Sequence, residues 1–350
     1  MDITIRKMGD DEFREATRVA RKAFGPTEGL FVFLSKTALV AISDEKIVGG
    51  VSYKVYNTGG KKIGFVSFLF TDPTFHGQGI GKRLLEDGIR LLWEEEGCDV
   101  LVTFVRDDNV ASWGPFVKNG FVLASLPKIA TLTGLPGMIS LFFKSAYAMS
   151  IGHEFYIALR DEKSAASYKK EGGVGQIAGY ALINVLLLVP FALRAGDTLA
   201  VIASIAFIFL GMVLAGYIGT LFSKRKWSFR LPSGGAFVYV LLAGTLRTVF
   251  PMIGCWYPDK YENTPQFRRD LALNAVAVWV FLLGIATAGI LAGGSSKILA
   301  YASNIVSVLL ALRCLPIPAF ESSGFGRVLN WSKPVLGALV GASFIFVFVF

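Results

Sequence analysis

Residues 69–85 read LFTDPTFHGQGIGKRLL, and this stretch decides the fold of the amino-terminal half. An apolar strand runs into a turn with glycines at positions 77, 79 and 81, and the turn opens directly into a helix. Glycine frees the backbone amides of such a turn, and the amino end of a helix is positively polarised. The stretch therefore predicts a site for a cofactor pyrophosphate, although ordinary turn chemistry explains the same glycines when they are taken alone.

The elements on either side of this turn alternate between strands and helices. A first helix is indicated by apolar residues at helical spacing, namely Phe13, Ala16, Val19 and Ala20. A second short helix over 109–118 is closed by Asn119 and Gly120. Strands are expected at 3–6, 38–42, 47–53, 100–105, 121–123 and 153–159.

This order of elements resembles the GCN5-related N-acetyltransferase (GNAT) family over roughly residues 1–160. The family pattern Q/R-x-x-G-x-G/A falls on residues 76–81. A second pattern, N-x-x-A-x-x-F-Y-x-x-x-G-F, keeps its spacing on Asn109, Ser112, Pro115, Phe116, Gly120 and Phe121. The resemblance implies an α/β domain with a mixed, mainly antiparallel sheet flanked by helices, and acetyl-CoA as the co-substrate.

The resemblance also implies which residues bind acetyl-CoA. They are Phe70, Thr71, His76, Gly77, Gln78, Gly79, Ile80, Gly81, Lys82, Asn109, Ser112 and Phe116. His76 stands where the family usually has Arg or Gln, but backbone amides supply most of the pyrophosphate contact. Phe116 stands where many members carry a tyrosine that protonates the departing CoA thiolate. A phenyl ring has no proton to give, so water or another residue would have to supply it.

Acetyl transfer also requires a neutral amine, so a carboxylate or a water relay normally removes a proton. A strand amide polarises the thioester carbonyl. Asp72, at the end of the strand before the turn, and Glu28, between the first helical segments, are the candidate bases. An Asp-Pro turn and a solvated loop carboxylate explain the same two residues without catalysis, so the sequence assigns no base.

The second half of the chain has a different composition. The whole chain is 53% hydrophobic and 17% charged, against a usual charged share of about 25%. Residues 174–193, 198–222 and 271–296 contain no charged residue or histidine and are long enough to cross a bilayer, and 298–312 and 334–350 are shorter candidates. An α-helical polytopic membrane domain over 174–350 is therefore expected, joined to the first domain by a linker at 161–173.

The distribution of positive charge predicts the orientation of these spans. If residues 232–255 enter and leave the membrane on the cytosolic side, only Arg194 and Lys297 among the loop lysines and arginines lie outside. Arg247 and the glycines of that segment also suit a re-entrant hairpin better than a lipid-facing span. We expect five crossings and one hairpin. Residues 1–16 show no signal-peptide pattern, so the amino-terminal domain is expected in the cytosol. Five crossings then place the carboxyl terminus outside.

This layout resembles the membrane core of the site-2 protease family. Residues 315–329 are similar to the family's L-P-x-P-P-L/F-D-G-G-R-x-L segment, with Glu321 at the metal-binding aspartate. Residues 215–219 can be laid over H-E-x-x-H. The chain has two histidines, His76 and His153, and both precede the first span, so a zinc site of that kind cannot form there. The resemblance thus implies a protease-like fold without metal, in which Glu321 is a loop carboxylate.

The insertion at 126–152 is apolar and carries only Lys128 and Lys144 as charges. It either lines the core of the first domain or lies at the lipid interface. The net charge of +9 suits an anionic membrane face better than nucleic acid, because the positive residues lie mainly at span ends. Three cysteines without a C-x-x-C pair make disulfides unexpected.

Two functions stay open at this point. One is a membrane-anchored N-acetyltransferase of a prokaryotic cell membrane, moving acetyl from acetyl-CoA to an amine. The other is a non-catalytic membrane scaffold that binds transmembrane partners and senses acetyl-CoA. The lipid bilayer is a partner in both, and no metal is expected in either.

Overall fold

The computed structural model describes most of the chain as two compact units, Met1–Tyr147 with His153–Lys169 and Ala148–Gly152 with Lys170–Phe350. The described residues are 3–106, 109–124, 126–150, 153–160, 173–231, 234–235, 237–238, 241, 254–259, 262, 264–292, 295–315 and 324–348, with the backbone alone at 27–28, 106 and 110–112. The boundary at 169–170 falls within the stretch that the sequence predicts as a linker.

The first unit is built on a seven-stranded sheet. Its strands are β1 Thr4–Lys7, β2 Ala38–Ser43, β3 Lys46–Thr58, β4 Lys61–Thr71, β5 Val100–Arg106, β6 Val122–Leu123 and β7 His153–Leu159. They lie in the order β1-β2-β3-β4-β5-β7-β6. The β4–β5 pair is parallel and the other pairs are antiparallel. The predicted mixed, mainly antiparallel sheet is confirmed.

Four helices cover the two faces of this sheet. They are α1 Phe13–Glu28, α2 Ile80–Glu94, α3 Val110–Lys118 and α4 Leu126–Lys144. Successive strand residues point to opposite faces, and the buried clusters divide accordingly. Leu101 and Tyr156 pack with α2 and α3, whereas Val100 and Ile157 pack with α4. Helix α1 packs on Val40 and Phe70, on the same face as α4.

The insertion at 126–152 thus contributes a helix that covers the sheet. Ile129 and Leu141 are buried in the core of the unit, while Leu135, Ile139 and Phe143 on the same helix are about half exposed or more. Helix α4 is kinked at Gly134, whose φ is 70°. One side of this helix therefore lines the domain core, as one of the two predicted alternatives has it, and its other side presents an apolar surface.

The second unit is mainly helical. Its helices are α5 Val174–Ala192, α6 Thr198–Thr220, α7 Pro265–Leu291, α8 Lys297–Cys314, α9 Phe325–Leu329 and α10 Lys333–Phe348, and its strands are β8 Trp227–Arg230 and β9 Cys255–Pro258. The helices pack around a buried cluster that contains Ile205, Trp279, Leu282 and Ile305. The indole Nε1 of Trp279 donates to Ser343 Oγ at 2.8 Å, which ties α7 to α10 inside the bundle.

Polar contacts mark the two ends of this bundle. At one end, Lys297 Nζ at the start of α8 pairs with Asp197 Oδ2 before α6 at 3.0 Å. At the other end, Arg225 after α6 pairs with Asp270 near the start of α7. Helices α6 and α7 are therefore antiparallel, and the loop charges gather mainly at the second end.

Five helices of the described part are long and apolar enough to cross a membrane: Leu126–Lys144, Val174–Ala192, Thr198–Thr220, Pro265–Leu291 and Lys297–Cys314. The last four coincide with four predicted spans. The first was not predicted as a span, and packing on the sheet explains the apolar residues on its buried side only. The predicted span at 334–350 falls on α10, which has 16 residues and is shorter than the others.

Most of the predicted hairpin at 232–255 lies outside the described residues. Its flanks are described and pair as a two-stranded antiparallel sheet, in which Arg230 is the partner of Cys255 and Trp227 that of Pro258. Arg230 and Cys255, which flank this segment, therefore lie next to each other.

Candidate functional site

The first unit contains a cleft where two neighbouring strands separate. The ladder between β4 and β5 comprises the pairs Ile63–Val100, Gly64–Leu101 and Phe65–Val102. Beyond them, β4 continues beside β3 as far as Thr71, and β5 continues beside β7 as far as Arg106. Because each strand follows a different neighbour, the ladder between β4 and β5 ends at Phe65 and Val102, and the two strands separate beyond it.

A β-bulge marks the point where this gap begins. In the β3–β4 ladder Ser52 pairs with Phe68 and Tyr53 pairs with Val66, so Ser67 is the extra residue on β4. The Ser67 hydroxyl donates to Ser52 O at 3.0 Å and lies 2.6 Å from Ser52 Oγ, which holds the bulge in place. A bulge bends its strand and ends regular pairing, and such bulges are frequent beside active sites.

The glycine turn lies just beyond the end of β4. Gly77 and Gly79 have φ values of 82° and 75°, a region that residues with a side chain avoid. A Cβ atom at either position would meet no atom within 4 Å. The backbone conformation therefore selects glycine here, and the space over the turn is open.

Helix α2 begins at Ile80, with Gly79 at its amino-terminal cap. The first helical bond described runs from Arg83 N to Gly79 O at 3.1 Å. The N–H groups of Ile80, Gly81 and Lys82 therefore belong to the open first turn, where helix amides have no intrahelical acceptor. Together with the exposed turn, they form the anion-binding arrangement that the sequence predicts.

The side chains next to the turn support its shape. His76 Nε2 lies 3.1 Å from Thr71 O, which connects the turn to the end of β4. Asp72 caps the short helical turn that follows, since its Oδ1 accepts from Thr74 N at 3.0 Å, and it pairs with Lys22 Nζ at 2.8 Å. The hydrogen bond from Lys22 lowers the pKa of Asp72 to about 2. So weak a base is poorly suited to take a proton from an amine. The role of Asp72 as the general base stays a prediction, and its ion pair with Lys22 disfavours that role.

The remaining predicted residues differ in what they can offer a cofactor. Phe70 and Phe116 are almost completely buried, and Phe116 packs edge-to-face on Phe121 with 5.1 Å between ring centroids. These two offer a cofactor only their backbone. Asn109 O accepts from Trp113 N at 2.9 Å at the start of α3. The side chains of Glu28 and Ser112 lie outside what the structure describes.

The start of β7 places two titratable residues beside the carboxyl end of β5. His153 pairs with Arg106 and Glu154 with Val105, the last two residues of β5. The His153 ring packs edge-on against Phe104, with 5.4 Å between centroids, while the Glu154 side chain is buried. The sequence predicts this strand but does not identify His153 and Glu154 as candidate site residues. The signal that could have identified them was a histidine at the start of the strand.

The cysteine of this unit has no place in such a site. Cys98 is fully buried, and burial raises the pKa of its thiol to about 11. The thiol is therefore protonated at neutral pH and is a poor nucleophile. Among the described residues, no group of three or more His, Cys, Asp or Glu side chains is arranged to hold a metal ion.

Comparison with known families agrees with this site. Residues 9–121 match the model of the Acetyltransferase (GNAT) family. That range contains the bulge, the glycine turn and the motif of α3. The chain therefore carries a GNAT acetyltransferase domain at its amino terminus, and the resemblance seen in the sequence is confirmed there.

One curated relative is a mycothiol acetyltransferase from Salinispora tropica, 36% identical over 63 residues, which are 18% of this chain and 20% of the relative. The chain thus spans about a fifth of the length of that relative.

Two solved structures are also similar. One is a PaiA N-acetyltransferase from Thermoplasma acidophilum in complex with coenzyme A, with 16% identity and a TM-score of 0.33, covering 45% of this chain and 99% of that chain. The other is an N-acetylglutamate synthase from Neisseria gonorrhoeae with coenzyme A and N-acetylglutamate, with 17% identity and a TM-score of 0.35, covering 46% of this chain and 36% of that chain.

Proposed function

We propose that this protein transfers an acetyl group from acetyl-CoA to an amine. The observation that carries the proposal is the glycine turn at the amino end of α2, placed beside the gap between β4 and β5 in a domain that matches the GNAT family. The turn supplies amides for the pyrophosphate, and the gap supplies unpaired strand for the pantetheine arm and the thioester.

The reaction needs one base and one acid. A neutral amine attacks the thioester carbonyl carbon, the C–S bond breaks, the amine proton passes to the base, and the CoA thiolate takes up a proton. A backbone N–H of β4 near Ser67 is suited to stabilise the oxyanion. His153 is our candidate base, because an imidazole nitrogen can accept a proton and the residue pairs with Arg106 at the carboxyl end of β5.

Cofactor binding is tested by titrating acetyl-CoA into the full chain in detergent and measuring the heat. Gly81→Glu places a carboxylate in the first turn of α2, where a Cβ makes only ordinary contact with Thr71 Oγ1 at 3.4 Å. Asn57→Glu, on the exposed far end of β3, adds the same charge as a control. Binding by the native protein and by the control, and loss in Gly81→Glu, supports the proposal. Equal binding in all three contradicts it.

Catalysis is tested by following free CoA with a thiol reagent while a panel of amines is supplied. His153→Gln is expected to lower kcat at least about tenfold with little change in KM for acetyl-CoA, and to remove the acidic limb of the pH profile. Glu154→Gln is the matched variant on the other face of β7. If it removes the limb instead, Glu154 is the base. If both variants keep the native profile, neither residue is.

The second candidate function is a non-catalytic membrane scaffold that senses acetyl-CoA. The buried Phe116 favours it, because that ring has no proton for the leaving thiolate. In this function, the second unit would be a site-2-protease-like bundle without metal that binds transmembrane partners. Its Glu321 lies outside the described residues. Acetyl-CoA binding without release of CoA from any amine in the panel would favour this function.

We further infer that the second unit spans a prokaryotic cell membrane through α5, α6, α7, α8 and α10, with residues 232–255 as a re-entrant hairpin. Long apolar helices support the first part, and the Arg230–Cys255 pair supports the second, because a full crossing would separate these two residues by about 30 Å. The end of the bundle that holds β8 and β9 is then cytosolic, and the apolar outer side of α4 is a surface for the lipid interface.

A further inference from the structure

Each of the two strands that separate in the first unit carries an aromatic side chain beyond the end of their ladder. Phe68 lies on β4 just after the bulge, and Phe104 lies on β5 two residues past Val102. Phe68 packs with the cluster under α1 and Phe104 with the cluster under α4, so both rings lie on the same face of the sheet. Both residues are partly exposed. Two phenyl rings therefore flank the place where β4 and β5 separate.

The candidate base lies against one of these rings. The imidazole of His153 packs edge-on against Phe104, with 5.4 Å between ring centroids, and Phe104 is stacked on Phe65 at 5.2 Å. Tyr56 extends the row at 6.3 Å from Phe65. An amine that gives its proton to His153 on this face of the sheet therefore lies beside aromatic carbon.

The segment that follows α1 exposes three large apolar side chains within four residues. Leu30, Phe31 and Phe33 are 70%, 61% and 70% exposed, whereas Val32 and Leu34 are buried. The two buried side chains pack with α1 in the core of the unit, which fixes the segment in place. Single exposed apolar residues are ordinary on a protein surface, but a contiguous group of them indicates a binding surface.

A chain of hydrogen bonds connects this segment to the bulge. Ser35, two residues after Phe33, donates its N–H to Ser52 Oγ at 3.3 Å, and Ser52 Oγ lies 2.6 Å from Ser67 Oγ. The exposed segment therefore ends beside the place where β4 and β5 separate. Helix α2, which begins at the glycine turn, packs on the opposite face of the sheet. The segment and the turn predicted to bind pyrophosphate thus approach this place from different faces.

We propose that the acceptor amine is carried on an apolar alkyl or aryl group, which binds against Phe68, Phe104 and the exposed segment at 30–33. The inference rests on the acetyl transfer proposed above and names its substrate class. An apolar group removes these exposed side chains from water, which is favourable in proportion to the apolar area covered. A polar acceptor of the same size leaves them in water or loses its own hydration without a partner. The amine nitrogen then lies toward His153 and the apolar group toward the rim of the site.

The first test follows release of CoA by the full chain in detergent with pairs of primary amines of equal length. One member of each pair is an alkylamine, and in the other ether oxygens replace methylenes. Amine concentrations are corrected for partition into the detergent. We expect kcat/KM to rise by up to about fourfold for each added methylene in the alkyl series and to stay flat in the ether series.

Variants of the exposed segment show whether it is the source of this preference. Phe31→Ser combined with Phe33→Ser is expected to lower the preference for hexylamine over its ether analogue at least about tenfold, with KM for acetyl-CoA unchanged. Leu135→Ser, which removes a similarly exposed apolar side chain from α4, is the matched control and keeps the preference.

A second readout does not depend on turnover. Phe33→Cys, in a full chain whose native cysteines are replaced by serine, is allowed to react with a maleimide. N-hexylacetamide, the product expected from hexylamine, should slow this reaction, whereas N-methylacetamide, which has the same amide and no chain, should not.

The outcomes separate this inference from the acetyl transfer on which it rests. Equal kcat/KM for the two members of each pair, or a double variant that keeps the native preference, would overturn the apolar acceptor and leave acetyl transfer standing. Protection of the cysteine at position 33 without CoA release from any amine would overturn acetyl transfer and leave an apolar binding site. Neither protection nor release would overturn both.

Discussion

The Nε of Arg225 donates to Oδ2 of Asp270 at 3.0 Å and so joins the loop after α6 to the first turns of α7. The Asp270 side chain is 3% exposed, and it also accepts from Ser223 Oγ and Gln266 Nε2. Removing Asp270 leaves Arg225 with Glu262, an exposed partner, and takes the buried acceptor from Ser223 Oγ and Gln266 Nε2. Asp270→Ala is therefore expected to lower the free energy of unfolding by about 3 kcal/mol.

Arg225 offers its own control, because it also pairs with Glu262 at 2.9 Å. The Glu262 side chain is 47% exposed, and exposed pairs contribute about 1 kcal/mol or less. Urea unfolding of the full chain in detergent compares the two variants. If Glu262→Ala lowers the free energy of unfolding as much as Asp270→Ala does, burial does not determine the strength of the Arg225–Asp270 pair.

The Lys22–Asp72 pair makes the first unit sensitive to acid. The pKa of Asp72 falls from 3.8 to about 2 on folding, so its contribution is present above about pH 4 and is lost as the pH falls from there to about 2. Lys22 is 57% exposed, and screening reduces the effect to about 1 kcal/mol. Asp72→Asn is expected to flatten the stability of the unit over this range. Tryptophan fluorescence during denaturation at several pH values measures it, and an unchanged slope would contradict the assignment.

Close approach between α6 and α7 depends on Gly219. A Cβ atom there would lie 2.7 Å from Asn274 Cα and 2.8 Å from Leu273 O, which are backbone atoms that cannot turn aside. Gly219→Ala is expected to cost about 1–3 kcal/mol. Gly284→Ala in α7 meets no atom within 4 Å and is expected to be neutral or to stabilise by up to about 1 kcal/mol, since alanine favours helix. Similar Tm values for the two variants would exclude close packing at Gly219.

Local signals in the sequence identified most of the first unit, because strands and glycine turns depend on neighbouring residues. The turn at Gly77 and Gly79 and the strand at 153–159 are examples. The bulge at Ser67 was not predictable, since it arises from how β3 pairs with β4. The position of His153 beside Arg106 likewise depends on the register between β5 and β7, and the sequence of one chain does not show that register.

The same limit applied to the second unit. Hydropathy predicts α5 to α8 closely, yet it does not separate a helix that crosses a bilayer from α4, which has similar apolarity and packs on a sheet. The burial of Arg313 and Arg327 in one cavity also had no local signal. Charges near the end of a span are ordinary in a sequence, and only the packing of α7, α8 and α9 brings these two together.

The pairing of β8 with β9 gives a sharp test of the orientation that we propose for the second unit in the membrane. Asp259 N donates to Lys226 O at 2.9 Å, so positions 226 and 259 lie side by side although residues 227–258 separate them in the chain. Single cysteines at 226 and 259, in a chain whose native cysteines are replaced by serine, are expected to react only with a reagent that enters the cytosol. Cysteines at 197 and 297, at the other end of the bundle, are expected to react with an impermeant maleimide added to intact cells. Labelling of 226 and 259 from opposite sides would contradict the predicted re-entrant hairpin and the Arg230–Cys255 pairing that supports it.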